Sequence, residues 1–186
     1  MKNLTKRMLV CLVLLGVMLQ APLTRAQDTD DLDRLLSQLA DPETEDWERV
    51  EERIIDTWSR SGSTAMDLLL IRGQDAMEED DYQSAIEHFT ALTDHAPDFA
   101  EGWNMRATAF FLIDEYGLSV EDIGRTLALN PKHFGALSGL GVILEELGDT
   151  KNALLAYRSA YEVNPHRENL IEAIARLEND VDGTPI

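Results

Sequence analysis

Residues 103–131 read WNMRATAFFLIDEYGLSVEDIGRTLALNP, and a related pattern precedes and follows this stretch. A bulky residue opens the unit, a small residue follows four positions later, and a proline closes it. The closing residues Pro97, Pro131 and Pro165 stand 34 residues apart. A fixed period of this length indicates an array in which each unit is one helical hairpin.

Each unit repeats the same order of large and small side chains. Bulky, small and apolar residues near its start are Leu69/Gly73/Ala76, Trp103/Ala107/Phe110 and Leu137/Gly141/Leu144. A small and a large residue, four apart, precede each proline: Ala85/Phe89, Ser119/Ile123 and Ala153/Tyr157. The region resembles the tetratricopeptide repeat (TPR) family, of an exported bacterial type. The resemblance implies an all-α fold, a solenoid of TPR helical hairpins.

The repeat period also suggests how the chain is divided. We expect a signal peptide at 1–26, an N-terminal helical cap (a degenerate repeat) at 27–62, repeats at 66–99, 100–133 and 134–167, a C-terminal cap helix at 168–179 and a disordered tail at 180–186. Within the N-terminal cap, Asp41 is expected to be the N-cap of a helix with Pro42 in its first turn. Caps are expected because the end units of an array have apolar faces that no neighbouring repeat covers.

The first 26 residues have the pattern of a secretory signal peptide. Basic residues precede a twelve-residue apolar run, and Thr24-Arg25-Ala26 supplies the small residues of a cleavage site. We expect cleavage after Ala26 and a periplasmic protein, with full secretion as the alternative. The alternative is an uncleaved signal anchor, but twelve apolar residues are too few to span a bilayer and a polar stretch begins at Gln27. We expect no membrane span in the mature chain.

Net charge and cysteine content limit the kinds of partner and of side-chain chemistry that the protein can have. Cleavage would remove four basic residues and no acid, so the net charge would change from −19 to −23. Such a surface disfavours nucleic acid and attracts cationic partners, although acidity could also serve only to keep the protein soluble. The one cysteine, Cys11, lies inside the apolar run, which leaves no thiol in the mature chain.

Motifs for catalysis or cofactor binding are missing from the sequence. It contains no P-loop, no G-x-G-x-x-G and no G-x-S-x-G motif. The histidines lack the i, i+4 spacing of a helical metal site and read as residues near helix ends. We therefore expect no enzyme activity, no cofactor and no metal. Gly135 and Gly139 indicate either close helix packing or the close approach of a partner's backbone.

The TPR resemblance implies a concave groove lined by the first helix of each repeat. The residues predicted to bind a peptide there are Leu70, Gln74, Met77, Glu78, Glu101, Asn104, Thr108, Phe111, Leu112, Ser138, Val142, Glu145 and Glu146. Their apolar members could form a strip edged by acids, or could pack against the caps or a neighbouring repeat. The carboxylate clamp of some TPR domains uses Lys, Arg and Asn, and only Asn104 could belong to one.

Two functions remain open from the sequence. The first is a non-catalytic exported adaptor or scaffold that binds a protein or peptide, with basic and apolar residues, in its concave groove. The second is a self-associating structural module of a cell-envelope complex, in which Trp47, Trp58 or the glycines of the third repeat form the contact between copies of a homo-oligomer.

Overall fold

The structure is a computed structural model that describes residues 31–182, with side chains for 31–179. This part of the chain contains nine helices and no strand, which confirms the predicted all-α fold. The helices are α1 (31–39), α2 (Trp47–Trp58), α3 (Thr64–Glu78), α4 (Tyr82–His95), α5 (Ala100–Leu112), α6 (Tyr116–Leu129), α7 (Phe134–Glu146), α8 (Thr150–Val163) and α9 (Glu168–Asp182). The expected signal peptide lies outside the described residues. The expected tail differs, because its residues 180–182 continue α9.

Three antiparallel hairpins, α3/α4, α5/α6 and α7/α8, form the repeats, and α9 packs on α8. The small residue in the first helix of each repeat lets the second helix approach. A Cβ atom at Gly73 would lie 2.2 Å from the Phe89 ring, and one at Gly141 would lie 2.6 Å from the Tyr157 ring. In the middle repeat, the buried Ser119 hydroxyl donates to the Ala107 carbonyl at 2.7 Å.

The turn inside each hairpin has the same backbone geometry. Asp80, Asp114 and Gly148 stand 34 residues apart and adopt positive φ angles of 57°, 62° and 76°. Glycine enters this left-handed region at little cost, and aspartate tolerates it better than most residues. The turn is therefore a repeated element of the fold, which the sequence indicates most clearly at Gly148.

Apolar side chains fill the array in three clusters that follow one another from α3 to α9. Phe89 and Leu92 are fully buried in the first repeat, together with Ala109 of α5. At the other end, α9 buries Leu170 and Leu177 against α8 and leaves its opposite side exposed. This arrangement gives α9 the place of a terminal helix with one polar side.

The N-terminal arm, residues 31–58, lies in an unexpected place. Its buried leucines, with Val50 and Ile54, form one cluster with Phe134 of α7, against which Val163 of α8 also packs. That cluster contains no described residue of the first repeat, and Leu68 and Ile71 of α3 remain 46% and 50% exposed. The arm therefore packs on the third repeat, which corrects the expectation of a cap at the start of the array.

The connection between α1 and α2 also differs from the prediction. The Asp41 carboxylate accepts a hydrogen bond from the Glu43 amide at 3.0 Å, and the Thr44 hydroxyl donates to the Gln38 carbonyl. These contacts hold the chain in turns up to Asp46, and α2 begins at Trp47. Asp41 is therefore a turn residue and not a helix cap, because its side chain bonds to the amide two residues on.

A polar cluster joins the first and second repeats beside Trp103. Arg106 forms two bonds to the buried Asp122 carboxylate, at 2.7 and 2.8 Å, and donates to the Thr93 hydroxyl. The same guanidinium lies 4.8 Å from the Trp103 ring, which is only partly buried. The bulky residue that opens the middle repeat thus packs under an arginine at the edge of the hairpin.

Candidate functional site

A cavity of about 120 Å³ lies between α5, α6 and α7. Most of its lining is apolar, and it consists of Asn104, Ala107, Thr108, Phe111, Ser119, Ile123, Gly135, Ala136, Gly139, Val142 and Ile143. Four of these residues belong to the predicted groove: Asn104, Thr108, Phe111 and Val142. The first helices of the second and third repeats therefore bring part of the predicted set together around one cavity.

Gly135 and Gly139 form part of the cavity wall. A Cβ atom at Gly139 would come no nearer than 3.9 Å to Ile123, and one at Gly135 would lie 3.4 Å from His133. The first is an ordinary contact distance and the second is at its lower limit, so helix packing does not require a glycine at 139. The main effect of these glycines is to leave room in the cavity.

Phe111 forms the end of the cavity nearest the α5–α6 turn. It is partly buried against the core of the middle repeat, and its ring centroid lies 5.7 Å from that of Tyr116. The Tyr116 hydroxyl donates to Asp114 at 3.0 Å. That hydrogen bond, then partial loss of solvent, then the charges of Asp114 and Glu146 raise the pKa of Tyr116. The Asp114 carboxylate therefore lies behind Tyr116, on the far side of that ring from Phe111's contact, and Phe111 also belongs to the core.

At the opposite end, Asn104 is linked to a buried polar pair. Its Nδ2 atom lies 3.4 Å from each carboxylate oxygen of Glu101. Glu101 is itself buried, with its Oε2 atom 2.8 Å from Nε2 of His133. The Glu101 carboxylate is thus held inside the protein and does not project into the groove, which differs from the prediction.

His133 connects this pair to the N-terminal arm. The ring is 4% exposed, and its Nδ1 atom accepts a hydrogen bond from the Ala136 amide at 3.1 Å, which caps α7. On one face the Trp58 ring stacks on it, with centroids 4.6 Å apart and planes 20° apart. The expectation that His133 lies near a helix end is correct, but it is a buried residue in contact with the arm.

The first-repeat members of the predicted groove separate into packing and surface residues. Leu70 is 2% exposed and buried with Ala109, and Met77 packs against the same cluster. The Gln74 amide contacts the Met105 sulfur at 3.7 Å. Of the four, only Glu78 is exposed. The continuous apolar strip from the first to the third repeat is therefore wrong, because α3 and α5 pack directly against each other there.

The remaining members lie on α5 and α7. Leu112 and Glu146 are exposed, and the Ser138 hydroxyl donates back to the Phe134 carbonyl at 2.8 Å. Glu145 forms an ion pair with Arg176 of α9, whose hydrogen bonds, with one from Tyr157, lower the pKa of the carboxyl. Glu145 therefore joins α9 to α7 and is not an unpaired acid of the groove rim.

Sequence reasoning missed the residues that surround the cavity from outside the predicted stripe. Behind them, His133 contacts Glu101 and Trp58 stacks on His133, and neither residue follows from the repeat period. A buried Glu–His pair has no sequence signal of its own. The two glycines of α7 did give a signal, because glycine inside a helix is costly and indicates a local requirement.

Among residues 31–179, whose side chains the structure describes, no group of His, Cys, Asp and Glu has the arrangement of a metal site. None of the helices in this range combines the length and the apolar content that crossing a bilayer would need.

Comparison with known proteins decides the family. The model of the tetratricopeptide repeat matches residues 72–121 and 113–168, which together cover more than half of the chain. The chain is a tetratricopeptide repeat protein. A TPR repeat-containing protein of Rhizobium etli is 34% identical to it over 155 residues, which are 82% of this chain and 75% of that protein.

Solved structures show the same TPR fold. The Sgt2 TPR domain from Aspergillus fumigatus superposes with a TM-score of 0.61 at 22% identity, over 67% of this chain and 87% of that one. The first TPR of Spaghetti (RPAP3), bound to an HSP90 peptide, gives a TM-score of 0.61 at 20% identity, over 63% and 93% of the two chains. At these identities the likeness concerns the fold alone.

Proposed function

We propose that this TPR protein is a non-catalytic adaptor that binds a protein or peptide segment in the groove between α5 and α7. The cavity of about 120 Å³ is the observation that carries the proposal, since it combines apolar walls with the polar side chains of Asn104 and Thr108. Binding pockets are commonly mostly apolar with a few oriented polar groups.

The proposal includes export to the periplasm, with secretion as the alternative. It is supported by the signal-peptide pattern of residues 1–26 and by the acidity that remains after their removal. Related folds that bind peptides support the type of ligand, because the RPAP3 domain is described as bound to an HSP90 peptide. The acidic end of that peptide is a poor guide to the ligand here, since the predicted groove positions contain no Lys or Arg.

Self-association is a second candidate, and the surface of α3 favours it. Leu68 and Ile71 lie one turn apart and are about half exposed, because the arm packs on the third repeat. Exposed apolar patches on soluble proteins often mark contact surfaces. Light scattering on the purified protein tests this candidate, and a monomer over the micromolar range would exclude it.

The adaptor proposal is tested with a variant that fills the cavity. Gly139→Leu places an aliphatic side chain in the cavity wall. Gly124→Leu is the matched control, since its Cβ atom would meet nothing within 4 Å and it does not line the cavity. Immobilised wild type, control and variant are exposed to envelope extract. Proteins that the first two capture and Gly139→Leu does not capture support the groove, and equal capture by all three contradicts it.

A further inference from the structure

The chain of hydrogen bonds behind Asn104 has a fixed direction. It starts at the Ala136 backbone amide, which can only donate and lies 3.1 Å from Nδ1 of His133. Nδ1 is therefore the unprotonated nitrogen, and the ring proton sits on Nε2. From there it is donated to the Glu101 carboxylate at 2.8 Å. The tautomer of this buried histidine is thus set by the backbone of α7.

The same direction fixes the orientation of the Asn104 amide. A carboxylate accepts hydrogen bonds and does not donate them, so the side of Asn104 that faces Glu101 is its NH₂ group. The Oδ1 atom is then the part of the amide left for a ligand in the cavity, which Asn104 helps to line. The cavity consequently offers an acceptor where an asparagine of the carboxylate clamp would offer a donor.

We propose that the cavity binds an aliphatic side chain of a basic peptide segment, with an N–H donor of that segment bound to Oδ1 of Asn104. Glu101 and His133 are positioning residues, which act by orienting the asparagine. This inference rests on the proposed adaptor function and specifies the partner of the same site.

Size and charge both support such a partner. A cavity of 150 Å³ accommodates benzene, so about 120 Å³ holds a branched aliphatic side chain. Asp114 is hydrogen-bonded to Tyr116, whose ring packs against Phe111 at one end of the cavity, and Glu101 lies behind the other end. No Lys or Arg lines the cavity. A carboxylate ligand would meet an acceptor and like charges, whereas Lys or Arg beside the aliphatic anchor would meet complementary charge.

The test is a selection of random dodecapeptides, displayed on phage, against the mature protein, with Gly139→Leu and Gly124→Leu as cavity-filled and control targets. We expect sequences with Leu, Ile or Val next to Lys or Arg, retained by Gly124→Leu and lost on Gly139→Leu. Enrichment of acidic sequences that still depends on the cavity would overturn this inference and leave the adaptor function standing. Failure to obtain any cavity-dependent sequence would overturn both.

A synthetic peptide of the selected sequence then tests the positioning role. Replacing its basic residue by Glu should weaken binding to wild type by about tenfold or more, as expected for a charged hydrogen-bonded contact. In Glu101→Gln the neutral amide can donate to Asn104, which frees the asparagine to turn its NH₂ group to the ligand. The preference for Lys over Glu should then shrink to a few-fold. An unchanged preference in a folded Glu101→Gln protein would show that Glu101 does not orient the asparagine.

Discussion

Trp58 of the N-terminal arm stacks on His133 at the start of α7, with ring centroids 4.6 Å apart. At the other end of α2, Trp47 stacks on His166 just before α9, with centroids 5.3 Å apart and planes within 2°. Trp58 follows Trp47 by eleven positions of helix, which corresponds to about 17 Å. Helix α2 therefore spans the distance from the start of α9 to the start of α7 and contacts the chain at both places.

Loss of the Trp58 ring should release this end of the arm. Trp58→Ala removes the stack on His133 and a contact with Phe134, whose ring centroid lies 5.1 Å away. Burial of the indole is partial, so we expect a loss of about 2 kcal/mol, below the 3–5 kcal/mol of a core tryptophan. Thermal melts and limited proteolysis at 59–63 measure the effect. Trp58→Phe is the control, and equal proteolysis of both variants and wild type would contradict the role of the stack.

Glycine-to-alanine substitutions at two nearby positions of α7 should change the free energy of unfolding in opposite directions. Gly139→Ala meets no close atom and removes a helix glycine, so it should stabilise by about 0.5–1 kcal/mol. Gly141→Ala would place its Cβ atom 2.6 Å from the buried Tyr157 ring and should destabilise by about 1–3 kcal/mol. Urea melts of the two variants make the comparison. A stabilised Gly141→Ala would show that the ring can move aside.

The stability of the fold should fall when one partner of the Arg106–Asp122 ion pair is removed. Asp122→Ala leaves a mostly buried guanidinium without its carboxylate, and we expect a loss of about 3–5 kcal/mol. Arg106→Lys keeps the charge but cannot reproduce the two parallel bonds, so an intermediate loss is expected. Replacing both partners, as Arg106→Met with Asp122→Leu, should restore much of the stability. A double variant as unstable as Asp122→Ala would contradict this account.

Alkaline pH should destabilise the fold by deprotonating Tyr157. Burial, followed by the charge of Glu145 and the hydrogen bond to it at 3.3 Å, raises the pKa of Tyr157 to about 12, from the ordinary value of 10.0. The folded state then binds the proton more tightly than the unfolded state, so the contribution of Tyr157 to stability is fully present below pH 10 and is lost between pH 10 and 12. Tyr157→Phe should become more stable relative to wild type over that range. A stability difference that does not change with pH would contradict the raised pKa.

Export predicts a new N-terminus. Expression in a Gram-negative host should yield a soluble envelope protein that begins at Gln27, since Thr24-Arg25-Ala26 supplies the small residues of the cleavage site. Intact mass spectrometry of the purified protein gives the N-terminus. Replacement of Ala26 by Asp should block cleavage, and a product that still carries Met1 in the wild type would contradict the proposal.

The helices of the repeats could be predicted because each depends on a local pattern. Small and large residues, such as Gly73 and Phe89 in the first unit, recur at the same offsets in each unit, and each predicted repeat corresponds to one observed hairpin, with α3 beginning two residues before position 66. The groove was less predictable, since exposure depends on how closely neighbouring repeats approach. Leu70 illustrates this point. Its position in the repeat predicts a place in the concave groove, but α5 packs over it and leaves it buried.

The position of the arm could not be obtained from the sequence. Its amphipathic helices show an apolar side, but helical period does not say which distant surface will cover that side. The decisive contacts are specific pairs, such as His166 with the Leu39 carbonyl at 3.0 Å and Arg167 with Glu51. Such pairs produce no periodic pattern in a single sequence from which they could be predicted.

Contact between the arm and the third repeat changes how cooperatively this chain is expected to fold. A repeat array is held by nearest neighbours, so its contacts are local and its ends can unfold separately. Here Leu39 meets His166, 127 residues further along the chain. Contacts of such high sequence separation slow folding, because a long loop must close before they form. They also tie the first described helix to the last repeat, so the array should lose its structure in one cooperative transition and not from its ends inward.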